Sequence, residues 1–262
     1  MKTIGQYYEF LSSKIVKVFS EKKITWGGVK LKYILKKKSN SDKLIVVLSA
    51  CTRKGIKARY NYMRTLSVCD ENQLYILDDF GYDMRGAYYL GKDGGNEIEQ
   101  ACVHLINEIC DKLSPKKLFL CGTSKGAYAA LDLMPEFDGS IAIVGAPQYR
   151  LADYLMKPEN VETLSYILPE QMQRNASDVH NLNNRLRVRL KKGKHKIYLH
   201  FSDNEHTYKQ HIIFLLQDLN EFGYDVHTDI LHYTDHWDVG KYYPEFLLKS
   251  LVDEGCKVIK QQ

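Results

Sequence analysis

Short apolar runs rich in β-branched residues recur along this chain, each followed by a segment of helical period. They are KLIVVLSA (43–50), QLYILDD (73–79), KLFLCG (117–122), SIAIVGA (140–146), KIYLHFSD (196–203) and DVHTDILHY (225–233). Near-continuous apolar strands alternating with crossover helices are what a parallel sheet covered on both faces requires, so the pattern predicts an α/β fold. An earlier run, VKLKYILKK (29–37), alternates polar and apolar residues and predicts an antiparallel strand with one wet face. A helix is predicted over 96–113, where Ile98, Cys102, Leu105, Ile106 and Ile109 share one stripe. A second is predicted over 207–223, closed by Gly223, and a last one begins beside Pro244.

The rhythm breaks between 148 and 194. That stretch carries two helical patches interrupted by Pro158 and Pro169 and no strand signal, which predicts a lid of short helices inserted between two strands of one domain spanning 1–262. At 262 residues a single core of that size folds unaided.

Charge and composition exclude several function classes. Lys and Arg number 37 against 32 Asp and Glu, and the surplus sits mainly in LKYILKKKSN and RLRVRLKKGKHK. A local excess of this size does not make a nucleic-acid-binding face, although it suits an anionic substrate or peripheral contact with a membrane-associated assembly. The 19 tyrosines suit sugar binding or ordinary core filling. Six cysteines at no metal-ligand spacing are expected as free thiols of a reducing compartment. The first 19 residues lack the features of a signal peptide, and no apolar window reaches the length of about 18 needed to span a membrane, so a cytoplasmic location is expected.

The stretch KLFLCGTSKGAYAALDL (117–133) carries the chemistry. It joins a strand to a helix through Gly-Thr-Ser-Lys-Gly, the G-x-S-x-G pattern in the setting that projects a serine from a sharp strand-to-helix turn. Ser124 is therefore the candidate nucleophile in an α/β-hydrolase fold. A serine hydroxyl needs a base, and the base an orienting acid, which in this fold follow in the order acid, then histidine. Asp203 at the end of 196–203 and His236 past 225–233 occupy those places. The oxyanion donors are expected from the amides of Lys125 and of Ala50 or Cys51.

Each of these positions has a plainer alternative. Asp203 would also serve as a helix cap, and His232 competes with His236 but falls inside a strand run. His200, His206 and His211 with Asp203 or Glu205 match no zinc spacing, so no metal is expected. Cys51 and Cys121 suit packing rather than nucleophilic chemistry. Arg85 and Tyr88 fall on the loop after 73–79, where Arg85 either holds an anionic group or pairs with Asp79 or Asp83. Tyr60 and Tyr62 either touch ligand or fill the core, and the Lys125 side chain either meets phosphate groups of a ligand or, as the first expectation, stands in solvent.

The runs CGTSKGAYAAL, VGAPQYRLADYL and LSYIL, with ARYNYMRTL and DDFGYDMRGAYYLG upstream, resemble the α/β-hydrolase-type capsular polysaccharide O-acetyltransferases. The resemblance extends from about Leu44 to His236; Ala127 replaces a second glycine after the serine turn. More distantly, the chain is similar to the hydrolase-like component of accessory Sec systems. The resemblance implies acetyl transfer from acetyl-CoA, with no tightly bound cofactor, to a hydroxyl of a cell-surface polysaccharide through an acetyl-serine intermediate. It implies Ser124 as nucleophile, His236 as base and Asp203 as acid, with Arg85, Tyr88 and Tyr60 as candidate substrate contacts. A carbohydrate esterase with the same triad and a non-catalytic subunit of a surface-glycan or secretion assembly are the rival functions.

Overall fold

The computed structural model describes residues 20–193 and 195–259. The reading of the first 19 residues as lacking a signal peptide lies outside the described residues. Eight strands form one sheet: β1 (Glu21–Trp26), β2 (Val29–Lys36), β3 (Lys43–Leu48), β4 (Asn72–Leu77), β5 (Lys117–Thr123), β6 (Ile141–Gly145), β7 (Lys196–Ser202) and β8 (Asp225–Leu231). Their spatial order is β1-β2-β4-β3-β5-β6-β7-β8. The six strands from β4 to β8 run parallel, and β2 is antiparallel to both β4 and β1. This is the α/β-hydrolase architecture expected from the strand and helix rhythm.

The sheet divides two apolar layers by the two-residue period of its strands. On β3, Leu44, Val46 and Leu48 enter one core while Ile45 and Val47 enter the other. The first layer is covered by α1 (Glu97–Leu113), α2 (Lys125–Leu133) and the helices that join β6 to β7. The second is covered by Tyr243, Phe246, Leu247 and Leu251 of the last helix.

Three local expectations are corrected. The chain from β3 to β4 contains only a 3-10 turn, Thr65–Val68, and no α-helix. A strand not predicted, β1, pairs with β2 through a hairpin at Gly27 and Gly28, whose positive φ values of 53° and 81° suit the two-residue turn that matches strand twist. The last helix starts at Val239 rather than beside Pro244, which lies inside it. Pro244 stands past the first turn, so its missing N–H costs the helix one i→i−4 bond, the one to the Gly240 carbonyl.

Between β6 and β7 lie α3 (Leu151–Leu155), α4 (Val161–Ile167), α5 (Glu170–Gln173) and α6 (Ala176–Leu190). Leu164, Ile167, Leu182, Leu186 and Leu190 pack into the first core layer, so this segment is fastened to the domain along its length. Among the described residues, no helix is long and apolar enough to cross a membrane.

Candidate active site

The turn after β5 is shaped by its two glycines. Ser124 sits at φ 51°, ψ −117°, a conformation that a non-glycine residue adopts only under constraint. A Cβ on Gly122 would lie 2.6 Å from the backbone of Gly126, and one on Gly126 would lie 2.3 Å from the Leu48 carbonyl oxygen. The spacing G-x-S-x-G thus permits α2 to begin directly against β5 and β3. Ser124 Nα donates to the Gly145 carbonyl at 2.8 Å, which ties the turn to β6.

His236 reaches the serine from the loop after β8. Its Nε2 lies 3.0 Å from Ser124 Oγ, and its Nδ1 lies 2.9 Å from Glu205 Oε2. The side chain of Glu205 is fully buried, and the Thr207 hydroxyl donates to its other oxygen. An imidazole held this way keeps its proton on Nδ1, donating it to the carboxylate, and presents the Nε2 lone pair to the hydroxyl.

The carboxylate on His236 is Glu205, which corrects the expectation for Asp203. The backbone gives the reason. The Asp203 amide still donates to the Leu231 carbonyl at 3.1 Å, so Asp203 continues the pairing with β8 and its side chain stays at the outer edge. There Asp203 Oδ1 accepts from His232 Nδ1 at 2.7 Å, a pair in which His232 is 76% exposed. The chain turns only afterwards, where the Asn204 amide donates to Ser202 Oγ at 3.1 Å, and it delivers Glu205 to the site. The sequence signal available was the second acid in SDNEH; strand periodicity alone favours the first.

The oxyanion expectation is also narrowed. The Ala50 amide donates to Asn61 Oδ1 at 2.8 Å, leaving the amides of Cys51 and Lys125 as the candidate donors. Burial pushes the Cys51 thiol up from its ordinary value, against a reactive thiolate at pH 7. The Lys125 side chain is not in solvent. It is fully buried, with Nζ 2.9 Å from Asp78 Oδ2 and 3.0 Å from the Asp78 carbonyl oxygen, over the ring of Tyr89.

The other candidates separate clearly. Arg85 pairs with Asp83, donates to the Thr52 carbonyl at 3.0 Å and lines the cavity above Ser124; Asp79 is taken by Lys32. Tyr88 is 3% exposed, and its hydroxyl donates to Gln148 Oε1 at 3.3 Å, inside the fold. The Tyr60 hydroxyl donates to Glu21 at 3.0 Å, and Tyr62 lines the cavity with its hydroxyl 2.7 Å from Thr123 Oγ1. His200 is buried against Asp229 on β8, while the His206 ring stands edge-on to His236 at 5.9 Å. Among the described residues, no group of three or more His, Cys, Asp or Glu side chains is placed to hold a metal ion.

Ser124 and His236 open into a cavity of about 540 Å³, with Cys51, Tyr62, Arg85, Tyr154, Asn160, His206 and Trp237 on its walls. Arg53, Lys54 and Arg59 stand exposed at its rim, with the Arg53 guanidinium over the Trp237 ring at 5.3 Å. A residue missed by sequence reasoning, Gln148, touches both Ser124 and His236.

No family model matches the chain, and no curated protein matches it. Among solved structures, the fold is similar to the capsule O-acetyltransferase of Neisseria meningitidis serogroup A, seen in a histidine-to-alanine mutant in complex with CoA. The likeness has 23% identity over 88% of this chain and 94% of that chain, with a TM-score of 0.71. The Glycosylation Associate Protein (Gap123) complex from Streptococcus agalactiae gives a TM-score of 0.71 at 17% identity over 90% of this chain and 47% of that one. The acylaminoacyl peptidase of Pyrococcus horikoshii gives 0.67 at 15% identity over 100% of this chain and 44% of that one. Identities this low speak for architecture and not for substrate. The chain is an α/β-hydrolase-fold protein whose structural neighbours include a capsule O-acetyltransferase, the resemblance already visible in its Gly-Thr-Ser-Lys-Gly and Ala-Pro-Gln stretches.

Proposed function

We propose that this protein is a serine-dependent O-acetyltransferase that moves an acetyl group from acetyl-CoA to a hydroxyl of a cell-surface polysaccharide. The observation that carries the reading is the contact of Ser124 Oγ with His236 Nε2 at 3.0 Å, backed by Glu205 on Nδ1, at the base of an open cavity. His236 takes the serine proton as Oγ attacks the thioester carbonyl, and the carbonyl oxygen gains its negative charge beside the Cys51 and Lys125 amides. The C–S bond breaks, the thiolate leaves with the proton from His236, and Ser124 holds the acetyl group. A sugar hydroxyl then gives its proton to His236 and takes the acetyl group, restoring the serine.

The cationic rim supports a donor with phosphates and a polymer that carries negative charge. Arg53, Lys54 and Arg59 surround the mouth on one side, where phosphate groups of acetyl-CoA gain from them. The helices between β6 and β7 act as the lid, with Tyr154, Glu159 and Asn160 reaching the cavity wall, and they favour sugar over water as acceptor. Six free cysteines accord with work in the reducing cytoplasm.

The test is mass spectrometry of capsule-type polymers incubated with the protein and acetyl-CoA, with CoA release followed in parallel. Gain of acetyl mass on a polymer, with faster CoA release in its presence, supports transfer. Loss of acetyl mass from an acetylated polymer assigns an esterase instead, and CoA release at one rate with and without polymer contradicts the proposal.

A further inference from the structure

Gln148 follows β6 in the turn Gly145-Ala146-Pro147-Gln148, which Ala146 holds at φ 45° with its amide bonded to the His200 carbonyl at 2.9 Å. The Gln148 side chain is fully buried. Its Nε2 donates to Ser124 Oγ at 2.9 Å and lies 3.2 Å from His236 Nε2, while Oε1 lies 3.2 Å from the same Ser124 Oγ. Such an amide offers the serine two hydrogen-bond states. With N–H directed at Oγ, the serine lone pair is occupied and its proton points to His236. With Oε1 directed at Oγ, the serine donates to the amide and the base receives nothing.

The Tyr88 hydroxyl selects between them. It donates to Gln148 Oε1 at 3.3 Å, which favours the orientation in which the amide N–H, at 2.9 Å, rather than the oxygen, at 3.2 Å, is the nearer group to Oγ. Burial pushes the Tyr88 phenol well above its ordinary value, so the donor proton is present throughout the working pH range.

We propose that Gln148, held by Tyr88, is a positioning residue that fixes the Ser124 proton on His236 and completes the series Tyr88, Gln148, Ser124, His236, Glu205. This deepens the proposed function and rests on Ser124 being the nucleophile. The amide Nε2 also stands 3.2 Å from His236 Nε2, so a carboxylate introduced at this position would lie beside the imidazole and accept from it.

The experiment is the rate of labelling of purified full-length protein by a fluorophosphonate probe as a function of pH, with melting temperature checked for every variant. Gln148→Met keeps the volume and removes both hydrogen-bonding groups, and labelling on the pH plateau falls about tenfold or more, the loss of roughly one oriented hydrogen bond. Gln148→Glu keeps the shape but removes the N–H from Oγ, so labelling on the pH plateau falls as in Gln148→Met while the acid limb moves to higher pH; a packing role predicts a moved limb with the plateau unchanged. Tyr88→Phe gives a smaller loss of rate. Folded variants that label at the wild-type rate with the wild-type profile overturn the inference. If Gln148→Met does not fold, Gln148→Glu decides it, an undiminished plateau rate overturning it. Wild-type protein that fails to label sinks the Ser124 reading and this inference together, whereas normal wild-type labelling beside unaltered variants sinks the inference alone.

Discussion

Glu205 Oε2 stands 2.9 Å from His236 Nδ1, while Asp203, two residues upstream, is occupied by the exposed His232. The two acids therefore carry different predictions. Glu205→Gln removes the negative charge that stabilises the imidazolium and is expected to lower the transfer rate by about 10³–10⁴-fold. Asp203→Asn disturbs only a surface pair and stays within about threefold of wild type. Steady-state CoA release in the presence of acceptor polymer measures both, and a larger effect at Asp203 would reverse the assignment.

Beside Ser124, Lys125 and Asp78 form an ion pair with both side chains fully buried. Asp78 also accepts from the amides of Ala87 and Tyr89, at 2.9 and 3.1 Å, so it fixes the loop after β4 against the start of α2. The loop is close enough that a Cβ on Gly86 would lie 1.9 Å from Lys125 Nζ. Lys125→Met or Asp78→Asn leaves a buried charge without its partner and is expected to lower stability by about 3–5 kcal/mol. Urea denaturation followed by tryptophan fluorescence checks this.

At the cavity mouth, removing charge tests the donor site separately from the chemistry. The triple variant Arg53→Gln, Lys54→Gln, Arg59→Gln is expected to raise KM for acetyl-CoA about tenfold or more with kcat little changed, and to flatten the dependence of kcat/KM on salt. Initial rates across a range of ionic strength are the measurement; an unchanged KM would separate the rim from the donor.

His211 supplies a pH dependence of stability. It lies against Tyr154, and its Nδ1 accepts from the Arg150 amide at 3.2 Å. Burial first, and then the positive charge of Lys157, lowers its pKa from 6.5 to about 3. The folded value lies below the unfolded one, so the unfolded chain takes up the proton first as the solution is acidified. The stability His211 preserves is complete above about pH 6.5 and is lost progressively towards pH 3, with a slope of about 1.4 kcal/mol per pH unit for one proton. His211→Gln keeps an acceptor for Arg150 and removes this slope, so wild-type and variant stabilities measured between pH 7 and 5 should converge as pH falls.

The parts of the molecule legible in the sequence are those governed by local pattern. Five of the six parallel strands announce themselves because they are buried on both faces and read as apolar runs, while β8, at the sheet edge, is largely exposed; the serine turn announces itself because only Gly122 and Gly126 leave room for the approach of α2 to β5 and β3. The acid that pairs with His236 was not legible. Choosing between Asp203 and Glu205 depends on how many residues the chain spends leaving the strand, and β7 continues its pairing through Asp203. Lys125 was misplaced for a similar reason, since a lysine in a first helical turn reads as solvated until its partner, 47 residues upstream, is brought beside it. Gln148 lies in the Ala-Pro-Gln stretch, but an amide has no sequence periodicity to mark it as a neighbour of Ser124 and His236. The hairpin strand β1 did have a signal, the Gly27-Gly28 pair before an alternating strand.

The most direct test of the central claim is a rapid quench of the protein with isotopically labelled acetyl-CoA, followed by peptide mapping of the segment 117–133. The account predicts one acetyl group on Ser124, absent in Ser124→Ala and discharged when an acceptor polymer is added before the quench. Release of CoA with Ser124 unmodified, and undiminished in Ser124→Ala, would contradict it.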